Sequence, residues 1–122
     1  MVDRVAVIGA GSWGTTVAAM VSRRTPTVLW ARRKELAEEI ATDHQSRGYL
    51  PGFQLSLKLE ATSSLEEAVT GADLIVMGVP YYEKYGEYCV KPRAQYVLEN
   101  ARCKVILTRD SLPQGQPVPA GR

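Results

Sequence analysis

Hydrophobic positions alternate along this chain between short unbroken runs and longer stretches in which they return every three or four residues. Arg4 to Ile8 is a β-branched run that stops at Gly9, and Trp13, Val17 and Val21 follow at helical spacing as far as Arg24. This order predicts strand, tight turn and helix. Thr27 to Ala31 predicts a second strand, entered through Thr25-Pro26, where the proline disfavours continued helix. Leu36, Ala37, Ile40 and Ala41 predict the apolar stripe of a second helix. After the Tyr49-Leu50-Pro51-Gly52 turn, Leu55 to Ala61 alternates apolar and polar residues and predicts a short strand.

Ser63 with Glu66, and Ser64 with Glu67, offer capping-box spacing for a third helix that Gly71 closes. Asp73 to Pro80 is the most hydrophobic run and predicts a central parallel strand buried on both faces. Ala94 to Ala101 predicts a further helix and Lys104 to Thr108 a fifth strand. Strands alternating with helices imply an α/β fold, a Rossmann-type doubly wound parallel sheet with right-handed crossovers. The boundaries are one domain over residues 1–112, followed by a disordered Pro/Gly-rich tail over 113–122, where three prolines and two glycines block regular structure.

The informative turn is Gly9-Ala10-Gly11-Ser12-Trp13-Gly14, a G-x-G-x-x-G sequence placed after a strand and opening a helix. In this context Gly9 permits the tight turn, Gly11 lets backbone approach a pyrophosphate, and Gly14 lets helix and strand lie close. The backbone N–H groups of Ser12 and Trp13 would meet phosphates at the positive end of the helix dipole. A turn made glycine-rich only for packing is the competing reading. At the end of the second strand, where an NAD-binding chain places an acidic residue on the ribose 2′-hydroxyl, this sequence has Arg32 and Arg33. Guanidinium groups suit a 2′-phosphate, so NADP is favoured and NAD remains possible.

Composition narrows the partners. The 122 residues carry a net charge of +2 and 45% hydrophobic side chains, ordinary values for one soluble domain and too short a chain for a complete two-domain enzyme. No basic block exceeds Arg32-Arg33-Lys34, which argues against nucleic acid. No apolar run is long enough for a membrane span, and the start lacks a leader pattern, so a cytoplasmic protein is expected. Cys89 and Cys103 share no metal or redox spacing, and His44, the single histidine, is expected to be a solvent-facing polar residue, so no metal site is expected. Residues 81–122 hold five of the six tyrosines and more basic than acidic side chains, unlike residues 1–80.

Gly9-Ala10-Gly11-Ser12-Trp13-Gly14-Thr15-Thr16, Val28 to Arg33, Tyr49 to Gly52, Ala61-Thr62 and Ala72-Asp73 to Val79-Pro80 together resemble the amino-terminal domain of bacterial NAD(P)-dependent sn-glycerol-3-phosphate dehydrogenase. The resemblance covers residues 4–80. It implies hydride transfer between NAD(P)H and dihydroxyacetone phosphate, giving sn-glycerol 3-phosphate for phospholipid synthesis. It also implies cofactor contacts at Ser12, Trp13, Arg32, Arg33 and Tyr49. After Pro80 the sequence departs from the family: Tyr81-Tyr82-Glu83 stands where the family has Ser-His and an aromatic residue, and Arg109-Asp110 stands near its Lys-Gly pair. The family's helical substrate domain has no counterpart here, so catalytic residues are unassigned. Dihydroxyacetone phosphate or glycerol 3-phosphate is expected as a partner only if such a domain is supplied. The alternatives are a non-catalytic NADP(H)-binding module and the cofactor domain of another dehydrogenase family, such as a ketopantoate or prephenate type.

Overall fold

The structure is a computed structural model that describes residues 2–78 and 81–108, with backbone alone at 81–84 and 87–90. In chain order the elements are β1 (Val5–Ile8), α1 (Ser12–Val21), β2 (Thr27–Trp30), α2 (Lys34–Asp43), β3 (Leu59–Thr62) and α3 (Leu65–Thr70). They are followed by β4 (Leu74–Gly78), β5 (Tyr81–Lys84), β6 (Glu87–Val90), α4 (Pro92–Asn100) and β7 (Lys104–Thr108). Five strands form one parallel sheet in the order β3-β2-β1-β4-β7. Helices cover both faces. On one, α1 and α2 pack on Val5, Val7, Leu29 and Leu59. On the other, α3 and α4 pack on Ala6, Ile8, Val28, Trp30, Ile75 and Met77. This is the doubly wound Rossmann-type sheet that the alternation of strand and helix predicts.

Local chemistry explains most element ends. Ser64 caps α3 by accepting the Glu67 N–H at 3.2 Å, so the second of the two capping-box spacings is the one used. Pro92 occupies the first turn of α4, where a missing N–H costs nothing. Asp73 fastens the start of β1, its Oδ2 accepting the N–H groups of Asp3 and Arg4, each at 3.0 Å.

Several expectations change. The strand expected over Leu55 to Ala61 begins only at Leu59, because its register with β2 runs from Thr27↔Leu59 to Trp30↔Thr62. Leu55 is buried without being in a strand: it packs in the α1–α2 core while its N–H donates to the His44 carbonyl at 2.7 Å. Of the helical stripe in α1, Val17 and Val21 are half-buried against the core and Trp13 is exposed, while the fully buried positions are the small residues Gly14, Thr15, Ala18 and Ala19 beside them. β4 buries Ile75 and Met77 fully, whereas Leu74, Val76 and Gly78 are half-buried, so one face is less covered than a central strand implies. His44 is the left-handed C-cap of α2, with φ 52°, half-buried with its Nδ1 out of solvent. The two-residue turn of the β5–β6 hairpin is another departure, with Tyr85 at φ 53° and Gly86 at φ 78°, the conformations a tight hairpin turn requires. Val79-Pro80, Arg109-Asp110 and the expected tail at 113–122 lie outside the described residues.

Candidate dinucleotide site

The sheet order reverses direction between β1 and β4, and in open α/β sheets such a switch leaves a crevice at the carboxyl ends of the strands. A cleft of about 320 Å³ lies there, lined by Ile8, Gly9, Ser12, Trp13, Gly78 and Thr108 among others. A second cleft of about 320 Å³ shares Gly9, Gly11 and Arg93 with it and extends to Trp30, Arg32, Arg33 and Tyr49. All the residues singled out from the sequence, Gly9, Gly11, Ser12, Trp13, Gly14, Arg32, Arg33 and Tyr49, therefore border one two-part crevice around the glycine loop.

The three glycines differ in what they are for. Gly9 has φ +117°, a conformation that side chains other than hydrogen rarely adopt. A Cβ on Gly14 would overlap the Gly9 carbonyl, so Gly14 is required by the closeness of α1 to the end of β1. Gly11 needs neither account. Its φ of −77° suits any residue, and a Cβ there meets no protein atom within 4 Å. Backbone conformation explains Gly9, packing explains Gly14, and Gly11 is left facing open cleft.

Gly11 is also the N-cap of α1, and a glycine has no side chain with which to cap the first turn. The first-turn N–H groups have no intrahelical acceptors, and the first of the helical bonds runs from the Thr15 N–H to the Gly11 carbonyl. The end of α1 thus presents donors and the positive pole of its dipole to the cleft, with no acidic side chain in that turn to neutralise it. Ser12 ties the loop to the turn after α2, its Oγ donating to the Tyr49 carbonyl at 3.2 Å. That bond holds Tyr49, whose side chain is partly exposed, on the same side as Arg32 and Arg33. Trp13 keeps 44% of its surface exposed and forms part of the wall.

Arg33 is the N-cap of α2 and Arg32 precedes it. Both are exposed, and among the described residues neither has a carboxylate within ion-pair distance. Arg47 shows the contrasting arrangement: Glu39 at 2.8 Å and Asp43 at 3.1 Å occupy its guanidinium, and those hydrogen bonds raise its pKa above the ordinary arginine value. Arg93, in the first turn of α4, borders both parts of the crevice and was not singled out by the sequence. A signal for it exists, since a cation in a helix's first turn lies at the unfavourable end of the dipole. Among the described residues no three His, Cys, Asp or Glu side chains converge as a metal site, and no helix is long and apolar enough to cross a membrane.

Comparisons with known proteins follow this geometry. A family model described as the N-terminus of NAD-dependent glycerol-3-phosphate dehydrogenase matches residues 4–107. A glycerol-3-phosphate dehydrogenase (NAD(P)+) of Sphingopyxis alaskensis is 56% identical over 77 residues, 63% of this chain and 23% of the relative. A Corynebacterium glutamicum protein of the same name is 51% identical over 77 residues, 62% of this chain and 23% of its own length. A glycerol-3-phosphate dehydrogenase structure from Coxiella burnetii superposes with a TM-score of 0.68 at 22% identity, covering 93% of this chain and 34% of that one, a likeness of fold. The chain spans about a quarter of the length of the curated relatives it matches.

Proposed function

For a chain that belongs to the family of N-terminal, NAD-binding domains of glycerol-3-phosphate dehydrogenase, we propose that the crevice around Gly9 to Gly14 binds a nicotinamide dinucleotide and prefers NADP(H). The observation that carries this reading is Gly11, an N-cap glycine that neither backbone conformation nor packing requires and that borders open space. A diphosphate is the group whose approach a side chain there would block. The first-turn N–H groups of Ser12 and Trp13 donate to it, with Gly9 setting the turn and Gly14 the closeness of the helix. Arg32 and Arg33, with no ion-pair partner among the described residues, receive the 2′-phosphate, and Tyr49 and Trp13 flank the crevice. When bound, the cofactor supplies or accepts a hydride.

For the whole protein we infer the glycerol-3-phosphate dehydrogenase activity for which its relatives are named, with dihydroxyacetone phosphate as the oxidised partner of glycerol 3-phosphate. The 122 residues hold the cofactor part of such an enzyme, and a substrate domain must supply the groups that polarise the carbonyl. By itself this chain acts as a non-catalytic NADP(H)-binding module.

The test is NADPH binding by fluorescence, with NADPH oxidation by dihydroxyacetone phosphate run beside it. Binding without turnover is expected. Gly11→Asp is expected to abolish binding and leave the urea midpoint nearly unchanged, because its Cβ meets no protein atom while its carboxylate opposes the diphosphate. Arg32→Ala and Arg33→Ala are expected to weaken NADPH about tenfold each, the order of one charge-assisted contact, and to leave NADH nearly unaffected. Unimpaired NADPH binding by Gly11→Asp sinks the site. NADH binding tighter than NADPH sinks the preference.

A further inference from the structure

Arg93 sits where the two parts of the crevice meet. With Gly9 and Gly11 it borders both of them, whereas Arg32, Arg33 and Tyr49 border only the part beside β2. Its guanidinium lies 5.3 Å from the centroid of the Trp30 ring, within cation–π reach. Trp30 is only 7% exposed at the end of β2, and its Nε1 is buried with no acceptor among the described residues. A buried indole therefore lies beneath the guanidinium.

Apart from the Trp30 ring, no described residue offsets the charge of Arg93. Among the described residues Arg93 has no carboxylate within ion-pair distance, unlike Arg47 with Glu39 and Asp43 or Arg4 with Glu60 at 3.8 Å. Its place in the first turn of α4, a turn with no acidic residue, sets its charge against the helix dipole. An anion entering the crevice would therefore meet a cation that no described carboxylate neutralises.

We propose that Arg93 is a third arginine of the dinucleotide site, one that binds the diphosphate bridge from the side opposite the α1 N-terminus, with Trp30 as the platform that orients it. This deepens the cofactor reading and rests on it. The division of labour follows from position. Arg32 and Arg33, away from the first cleft, meet the group that distinguishes NADP from NAD, while Arg93, beside Gly9 and Gly11, meets the part the two cofactors share. Arginine fits the task because its planar fork can donate to two phosphate oxygens at once while its cation stays within reach of the indole ring.

The experiment measures dissociation constants of the full chain for NADPH and NADH by fluorescence, with inorganic pyrophosphate as competitor, and the urea midpoint of each variant. Arg93→Ala is expected to weaken both dinucleotides by about tenfold, leave their ratio unchanged, and weaken pyrophosphate competition in proportion. It is also expected to flatten the dependence of log Kd on log salt concentration, since one cation fewer meets the phosphates. Arg93→Lys is expected to fall between the two, keeping the charge and losing the fork. Arg93→Ala binding both dinucleotides as tightly as the parent overturns the proposal, and so does a loss confined to NADPH, which would place Arg93 on the 2′-phosphate. A change in urea midpoint alone also overturns it, leaving only packing on Trp30. A folded parent chain that binds neither dinucleotide overturns the underlying cofactor reading. Parent binding that Gly11→Asp abolishes and Arg93→Ala leaves intact overturns only the role of Arg93.

Discussion

β1 and β7 are both short apolar strands of one parallel sheet, yet β1 is buried along its whole length while β7 alternates between exposed and half-buried positions. β1 pairs with β2 on one side and β4 on the other and has helices on both faces. β7 pairs with β4, lies at the end of the described sheet and leaves Ile106 and Leu107 nearly half exposed. The difference shows that the glycine loop hangs from a fully buried inner strand. If the loop binds phosphate as proposed, its donors must be fixed before the ligand arrives, and a buried inner strand holds the loop in place. The outer strand brings only Thr108 to the edge of the crevice, where its Oγ1 donates to the Met77 carbonyl at 3.5 Å.

The largest way to break this contrast is a cavity on the inner side. Leu29→Ala, beside β1 and fully buried, is expected to cost about 3–4 kcal/mol in urea denaturation. Leu107→Ala on β7 is expected to cost about 1 kcal/mol or less, because the side chain is already partly in water. Equal costs would mean that β7 is covered as β1 is.

Next in size is Gly14→Ala, whose methyl group would overlap the Gly9 carbonyl. Overpacking of this kind is expected to cost about 2–3 kcal/mol and, by pushing α1 off the loop, to remove NADPH binding as well. Measured beside Gly11→Asp, it separates the glycine that holds the fold from the glycine that leaves room for a ligand.

The smallest effect sharpens the β4–β7 side. Cys103, just before β7, has its thiol pKa pushed up by burial and secondarily by the Asp73 carboxylate, which precedes β4. A raised folded value keeps the thiol neutral, so the stability it contributes is complete below the unfolded thiol's pKa. It is lost as pH rises through the folded one. In a Cys89→Ser chain, alkylation of Cys103 by iodoacetamide is expected to rise with pH at a higher midpoint than in concentrated urea. Asp73→Asn is expected to move that midpoint part of the way back. Coincident midpoints in the folded and unfolded chains would show that burial does not shield the Cys103 thiol.

Much of this was legible in residue order. Lys104 to Thr108 reads as a strand and is one, and Ser64 caps α3 as its spacing with Glu67 implies, although the Glu67 carboxylate accepts from the Thr62 hydroxyl instead of the Ser64 N–H. Local rules of propensity, capping and turn chemistry act over a few residues, so a linear chain displays them. Leu55 illustrates the limit: its alternation with polar neighbours mimics a strand, but its burial comes from α1 and α2, distant in sequence. Trp13 and Val17 mark a helix correctly, but their spacing does not report that Gly14, Thr15, Ala18 and Ala19 are the residues buried beneath it.

The candidate site divides in the same way. Gly9 to Gly14 and Arg32-Arg33 stand out in the sequence because a glycine fingerprint and a displaced acidic residue are short-range patterns. Residue order alone determined that this chain carries such a loop between a strand and a helix and that cations follow the second strand. Only the tertiary structure decided which glycine serves packing and which faces open space, because that depends on atoms brought together by the β1–α1 approach. It also decided that Arg93, some eighty residues after the loop, returns to the same crevice, because the order β3-β2-β1-β4-β7 carries the chain across the sheet and α4 back to the mouth between β1 and β4.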